Sequence, residues 1–497
     1  MWFKKNKAQD VPESIPPKLK RQSKSLRDGS LKRDLDSVRK NTSRFGMGVG
    51  NHNINGIIRN VLESARDISR ELTLNNPVAK RYISLTADAV CGADGITIRP
   101  DVLNSDGTTN TVLSDQLEKL FYRWAEDPER FSLDGKISID LFQSLIEKTR
   151  ARDGEVFIRI HKGNGKDLKI EIVDGARLPT TKNERKATSY ISNSIEFDMN
   201  GKVIAYHVCR YNPNTYQIDQ GKFEVIPASE MIHYYVLEFP GMERGLPDLF
   251  AGTKVLNELN QYYEATLVSK RVSASTMAFI TNTNNDDIDL SEGADTPIYT
   301  QYLEAGMISE LQAGQDIKTV TPQAGVDRIG EFTDNILTLV SMSLGVTKQN
   351  LTGDTSGASF SASKLSDKLQ QSAMKTRSNV LISRVLKRIY SVWLANEMIN
   401  NNRLNLSFAD FDDLVSARYI LPKSVSIDPV RDAQEQQMYL DMGVKSKSQV
   451  IHEMGQDPAT VFAEITLEKE KEYNNITGDS NGIESKEKTN AGDESIN

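Results

Sequence analysis

Leu344-Gly-Val-Thr-Lys-Gln-Asn-Leu-Thr-Gly-Asp-Thr-Ser-Gly-Ala-Ser-Phe-Ser-Ala-Ser363 is a run of small polar residues between two strongly helical patterns. Such a run has too little apolar surface to build a core of its own. Before it, Ile329, Phe332, Ile336 and Val340 recur at helical spacing. After it, Ala362 to about Asn400 carries Leu365, Leu369, Ala373, Val380, Ile389 and Trp393. Two long helices therefore hold out a projecting finger, and the rest of the chain has to say what the finger touches.

Working back toward the N-terminus, Pro247 opens a helix predicted to reach about Ile280, with Leu256, Leu259, Tyr263 and Leu267 on one face. The acidic, turn-rich stretch Asn282 to Asp295 follows, then a small β patch at Gly306–Leu311 and Ile317–Val320. That insert is too small to be stable alone. Upstream lies a mixed α+β module from about Asn55 to Glu238. Its helices are read at Asn55–Leu74, Val78–Val90, Leu113–Ala125 and Ile139–Arg152. A strand is read at Ile96–Arg99, and from Glu155 the period changes to two, giving strands at 156–160, 168–173, 195–197, 203–209 and 231–236.

The 497-residue chain has a net charge of -7, unevenly placed. Met1–Arg44 holds thirteen Lys/Arg against five Asp/Glu, so everything after it is strongly acidic. The basic arm reads as mobile and able to touch a polyanion; the end from Glu468 reads as a disordered polar tail. Two cysteines give no disulfide framework and suit a reducing compartment. The N-terminus lacks the apolar stretch of a signal peptide, and no run approaches the roughly 18 apolar residues of a membrane span, so no membrane partner is expected.

Chemistry-bearing motifs are sparse. There is no phosphate-binding GxxxxGK[ST], and Gly46-Met-Gly-Val-Gly50 follows no strand and reads as a joint. His207 and Cys209 share a strand face without further ligands. Asp287-Ile-Asp289 starts like a calcium loop, but Glu292 stands where Gly is needed and Ile298 where Glu is needed. Asp153, Glu155 and Asp174 are the one carboxylate set that could form a hydrolytic or nuclease centre, if they converge in a cleft. The competing reading of Asp153-Gly154 is a helix-to-strand turn. Lys364, Lys368, Lys375, Arg377, Arg384, Lys387 and Arg388 cluster on the third helix, either as a solvated face or as a light contact with a polyanion.

Several segments together resemble the lambda-type branch of the tailed-phage portal proteins. They are Asn76-Pro-Val-Ala-Lys-Arg81, Phe121-Tyr-Arg-Trp124, Arg152-Asp-Gly-Glu-Val-Phe-Ile-Arg159, Ile195-Glu-Phe-Asp198, Ile226-Pro-Ala228 with Ile232-His233, Pro240-Gly-Met-Glu-Arg-Gly-Leu-Pro247, Leu344-Gly-Val346, Leu351-Thr-Gly-Asp354 and Phe360-Ser-Ala-Ser363. Each is weak alone; their order and spacing are specific, and Lys364 stands where the pattern has Arg.

The resemblance implies a portal-type α+β fold: an α/β wing (55–246), a stem helix (247–281), a small α/β clip (282–324), a second stem helix (325–350), a tunnel loop (351–363), a long wing helix (364–403) and an α-helical crown (404–467). A basic arm (1–54) and a polar tail (468–497) flank these. It implies a ring, usually of twelve subunits, at one capsid vertex of a virion assembled in the host cytoplasm, carrying double-stranded DNA in and out.

Its implied partners are itself, double-stranded DNA, the terminase large subunit, the major capsid protein and head-completion or adaptor proteins. No cofactor or metal and no enzymatic activity are implied. The loop residues expected to face DNA are Gly353, Asp354, Thr355, Ser356, Gly357, Ser359, Phe360 and Ser361, with Lys364 and Lys368 beneath. Asp286, Asp287, Asp289, Glu292 and Asp295 are expected to dock partners. Duplex DNA carries a charge about every 1.7 Å. An acidic ring with a few lysines would touch its backbone weakly and without sequence preference. A metal-dependent DNA-processing enzyme and a virion scaffold without DNA contact are the competing readings.

Overall fold

The structure, a computed structural model, describes residues 53–104, 107–163, 168–274, 277–282, 315–320, 329–354, 359–401, 406–421, 429–458 and 460–471. The basic arm up to residue 52, all five acidic clip residues, the loop centre at 355–358 and the tail from 472 lie outside them.

The elements run in chain order as α1 (Ile54–Asn75), α2 (Pro77–Cys91), β1 (Thr97–Pro100), α3 (Thr111–Ala125), α4 (Pro128–Phe131), α5 (Ile139–Asp153), β2 (Glu155–Lys162) and β3 (Leu168–Val173). They continue with β4 (Glu184–Arg185), β5 (Ser189–Ser192), β6 (Ile195–Asp198), β7 (Val203–Asn212), β8 (Gln217–Pro227), β9 (Met231–Tyr235), α6 (Thr253–Ala274), β10 (Met277–Asn282) and β11 (Gln315–Val320). Then come α7 (Ile329–Leu344), α8 (Lys348–Thr352), α9 (Phe360–Leu381), α10 (Lys387–Asn400), α11 (Phe411–Leu414), β12 (Ala417–Ile420), α12 (Pro429–Asp441) and α13 (Lys447–Glu453). One π turn, Ile382–Leu386, joins α9 to α10 in a continuous rod. Among the described residues no helix is long and apolar enough to cross a membrane.

Local chemistry sets the boundaries. Asn76 ends α1 and starts α2: its Oδ1 accepts from Val78 N (2.8 Å) and Ala79 N (3.0 Å), and Pro77 fills the first turn. Gly154 ends α5 in the left-handed region (φ 91°), and the chain leaves directly as β2. β2 is the centre of a three-stranded antiparallel sheet, β3-β2-β9. A second antiparallel sheet, β4-β5-β6-β7-β8, encloses a smaller core around Phe157, Val173, Phe197, Tyr206 and Val208.

The main core joins residues distant in sequence. Phe121 meets Trp393 edge-on, with ring centroids 5.1 Å apart, and Tyr390 at 5.7 Å. Ser378 Oγ donates to Val90 O (2.9 Å), fixing α9 on α2. The rod α9–α10 is therefore an integral wall of the N-terminal module.

The structure corrects several expectations. The helix expected to reach Ile280 stops at Ala274, and Met277–Asn282 is a strand, with Ile280 opposite Ile317 of β11. Its β-branched and aromatic residues take backbone partners there that a helix would not use. The second stem helix ends at Leu344, not 350. Gly345 turns the chain (φ 67°) and Val346 N–H donates to Ser341 O. The quoted run is thus not wholly a coreless finger: Leu344, Val346 and Leu351 are buried, α8 occupies its middle, and Phe360 and Ser361 already belong to α9.

The segment expected as an all-helical crown contributes β12 to the N-terminal module, paired antiparallel to β1 from Thr97↔Ile420 to Pro100↔Ala417. β8 went unread because Asp219, Gln220, Lys222 and Glu224 break its apolar alternation. Finally, Tyr263, Leu267, Phe332, Leu365 and Leu369, read at helical spacing, are exposed, because α6, α7 and α9 extend past the core.

A methyl group at Gly245 would overlap the carbonyl oxygen of Gly154, and one at Gly154 would overlap the Leu246 backbone. Gly241 has φ 74° but open space around it. Gly245→Ala should therefore cost about 3 kcal/mol or more through backbone overpacking. Gly241→Ala should cost only about 1 kcal/mol of left-handed strain. Denaturant unfolding of the two variants checks the difference.

Candidate functional site

The three carboxylates considered for catalysis do gather, but around arginines. Glu155, the first residue of β2, is fully buried. Arg244 Nη2 donates to its Oε1 at 2.6 Å and Arg66 Nη2 to the same oxygen at 2.9 Å. His233 Nε2 lies 2.9 Å from Oε2. Arg244 also donates to Leu178 O and Asn193 O, which ties in the second sheet. Arg70 Nη2 donates to both Asp153 Oδ2 (2.7 Å) and Asp174 Oδ1 (2.6 Å), and Arg152 holds Asp153 from the other side.

Burial opposes the ionisation of Glu155, but Arg244 and His233 outweigh it and hold the carboxyl well below the usual carboxylate range. The carboxylates are thus fixed anions in a structural network. A general base instead needs a pKa near the working pH and a path to substrate. Of the other motifs weighed, His207 Nε2 sits on Glu196 Oε2 at 2.8 Å rather than beside a metal-ligating Cys209. Among the described residues no group of His, Cys, Asp and Glu could hold a metal ion.

A second buried node stands beside the first. Asp248 accepts from Arg150 (2.9 Å to each oxygen), Tyr82 OH (2.7 Å) and Arg377 (3.2 Å). Glu147 accepts from Arg150 and from Tyr234 OH (2.7 Å). This node joins α2, α5, β9, the entry to α6, and α9. It removes Arg377 from the basic cluster of the third helix, and Arg388 is likewise bonded to Ser229 O.

The two described roots of the loop are the end of α8 and the start of α9. Ser359 caps that helix, its Oγ accepting from Ala362 N, and Gly353 ends α8 with φ 75°. Thr347 N–H and Asn350 Nδ2 both donate to Gln370 Oε1 (2.9 and 3.0 Å), which fixes α8 against α9. At about 100° per residue, the circumference of α9 divides in three. Gln370, Met374 and Ser378 face the core and are buried. Lys364, Lys368 and Lys375 lie about a quarter-turn from them, and Leu365 and Leu369 lie on the far side.

Lys364, expected to face DNA, places Nζ 2.8 Å from Asp432 Oδ1 of α12. Among the described residues Lys368 and Lys375 have no ion-pair partner and are exposed. Of the other loop residues, Gly353, Asp354, Ser359 and Ser361 are exposed at the two roots of the loop, while Thr355, Ser356 and Gly357 lie outside the described residues. The partner of Lys364 was not readable in the sequence, since Asp432 is 68 residues away.

Comparison with known proteins agrees with the motif reading. Residues 42–376 match the family described as phage portal protein, lambda family, and the chain belongs to that family. A curated relative, the probable portal protein of Halomonas phage phiHAP-1, is 25% identical over 443 residues, covering 86% of this chain and 83% of the relative. Solved structures with a similar chain include the neck of a native GTA particle computed with C12 symmetry (TM-score 0.45, 13% identity, 78% of this chain and 94% of that one). Another is an HK97 family phage portal protein from Corynebacterium diphtheriae (TM-score 0.32, 10% identity, 65% and 89%).

Burial pushes the His233 imidazole below the ordinary histidine value, with Glu155 opposing and Arg244 reinforcing the shift. The unfolded chain therefore takes up this proton first as pH falls. The stability is present above the unfolded value of about 6.5 and is lost as pH falls from there toward the lower folded value. Glu155, also depressed, adds its own loss only below its unfolded value of about 4.3. The melting temperature should drop from pH 7.5 to pH 5, and His233→Gln, which retains a donor toward Glu155, should flatten that drop. Thermal unfolding across this range checks it.

Proposed function

We propose that this portal protein works as one of a ring of identical subunits, about twelve, enclosing the channel through which double-stranded DNA enters and leaves a tailed-phage head. The observation that carries the reading is the basic face of α9. Lys368 and Lys375 are exposed on the helix that follows the small polar segment, on a rod built into the main core. Residues 353–359 with Lys368 and Lys375 are the DNA-facing set, with Lys364 steadied by Asp432. Their contacts are to backbone phosphates, so the channel is indifferent to sequence. A few lysines on an otherwise acidic subunit attract the duplex without arresting it.

In this reading 55–246 with the rod and β12 forms the wing, α6 and α7 the stem, and 282–324 the clip that meets the terminase large subunit and later the head-completion or adaptor proteins. The helices from 429 onward form the crown, inside a shell of major capsid protein. A separate packaging ATPase supplies the energy, since the sequence has no phosphate-binding GxxxxGK[ST] motif. The scaffold reading without DNA contact would leave the lysines as an ordinary solvated helix face, and the double-lysine variant below separates the two.

Purified protein should form particles near twelve times 55.5 kDa by mass photometry. A species that stays at the chain mass overturns the ring. Rings of Lys368→Ala with Lys375→Ala should bind duplex DNA more weakly, with a shallower salt dependence and an equal effect on every DNA sequence. Salt-series binding measurements identical to those of wild type would remove these lysines from the channel.

A further inference from the structure

Lys364 begins the basic stripe of α9. At about 100° per residue, Lys364, Lys368 and Lys375 fall within about 40° of one another around the helix, with Lys368 about 6 Å and Lys375 about 16 Å farther along its axis. A duplex lying along the stripe would meet all three. Yet Lys364 already contacts an anion of its own chain, its Nζ donating to Asp432 Oδ1 at 2.8 Å. Asp432 sits in the first turn of α12, where the helix dipole also favours a carboxylate.

A phosphate and Asp432 are alternative partners for this ammonium. Holding both at once would bring two anions within a few ångströms of each other, where they repel. The ion pair is open to solvent, with side-chain exposures of 40% at Lys364 and 37% at Asp432. Pairs this exposed are weak and screened by salt. A polyanion as densely charged as duplex DNA can therefore displace the carboxylate.

The helical end of the chain suits a contact that can be released. No described residue from 429 to 471 is buried, so no buried apolar contact fixes α12 or α13 to the module. Polar contacts hold this end, and they are unequal. Beyond α13, Arg99 of β1 pairs with Asp457 (Nη1 to Oδ2, 2.7 Å) and donates to Thr460 Oγ1 (2.6 Å). The Arg99 and Asp457 side chains are only 12% and 8% exposed. The segment thus has a sheltered anchor beyond α13 and an open ion pair at the start of α12.

We propose that Asp432 is an internal competitor of DNA for Lys364. With Asp432 docked, one lysine of the stripe is withheld from the duplex. With duplex bound along α9, the start of α12 is released while the Arg99 anchor holds. The two effects are one coupling free energy seen from its two sides, so they are equal in size. An exposed pair of this kind shifts a competing equilibrium about threefold. The inference rests on the DNA reading of α9 above, and it makes the state of α12 depend on whether DNA is present.

The test uses full-length protein and a short blunt-ended duplex. Asp432→Asn should bind the duplex about threefold more tightly than wild type at low salt, and the gap should close as salt is raised. In protein that also carries Lys364→Gln, Asp432→Asn should change nothing, whereas a carboxylate acting only through its general field would still matter there. Hydrogen exchange reads the reciprocal effect: duplex should speed amide exchange across residues 429–441 of the wild type and leave it unchanged in Lys364→Gln. Asp432→Asn binding at wild-type strength, tightening equally in the Lys364→Gln background, or wild-type exchange that ignores the duplex would each overturn the competition. The DNA reading would survive that result if Lys368→Ala with Lys375→Ala still weakened binding. Wild-type protein that binds no duplex would overturn both.

Discussion

A fully buried carboxylate must be matched by fixed donors, and Glu155 imposes that constraint on this fold. A charge removed from water costs several kcal/mol unless ionic partners and hydrogen bonds replace its hydration. Arg244, Arg66 and His233 do so here, and each comes from a different part of the chain: the turn before α6, the helix α1 and the strand β9. Removing one partner leaves an uncompensated buried charge, so the four groups persist or fail together. The neighbouring node around Asp248 extends the same logic to α2, α5 and α9. Between the nodes, Gly154 and Gly245 bring two backbones closer than any side chain permits.

The functional consequence is directional. Residues 244–248 lie in both nodes, and α6 begins five residues later at Thr253. The helix that leaves the module is therefore anchored at its root by buried charges from three other elements. α9 is anchored in the same node through Arg377. The two elements that carry the exposed lysines and the departing helix share one rigid base. In the ring proposed above, such a shared base would hold the roots of the loop and the departing helix in a fixed relation.

Periodicity revealed most of this architecture. The bounds of α1, α2, α3 and α5 fall within two residues of their apolar patterns, and β3 coincides with its pattern. What periodicity lacks is the identity of the covering surface. Leu365 and Leu369 repeat like core residues, yet in a single chain they face outward, since an apolar stripe looks the same whether its partner is the chain's own core or another molecule. β12 was hidden for a related reason: its partner, β1, lies more than 300 residues earlier. The basic residues of the third helix were legible as a cluster but not as a geometry. Sequence placed seven basic residues on one helix, and only packing showed that Arg377 serves a buried node and Lys364 an ion pair.

The motifs that carried the family resemblance acquire a physical meaning from the same contacts. Arg152-Asp-Gly-Glu155 and Pro240-Gly-Met-Glu-Arg-Gly-Leu-Pro247 are separate segments in sequence but one object in space. Glu155 is neutralised by Arg244, Gly154 is pressed against Gly245, and Ile232-His233 supplies the third donor. Each segment alone is a short string with little information. Their joint occurrence is specific because a change in one strands a charge or a backbone clash in another. The order and spacing of weak motifs therefore report a single packing problem with few solutions. The expected DNA and partner contacts lie outside that packing problem, so the motifs could identify the fold without locating the residues that act.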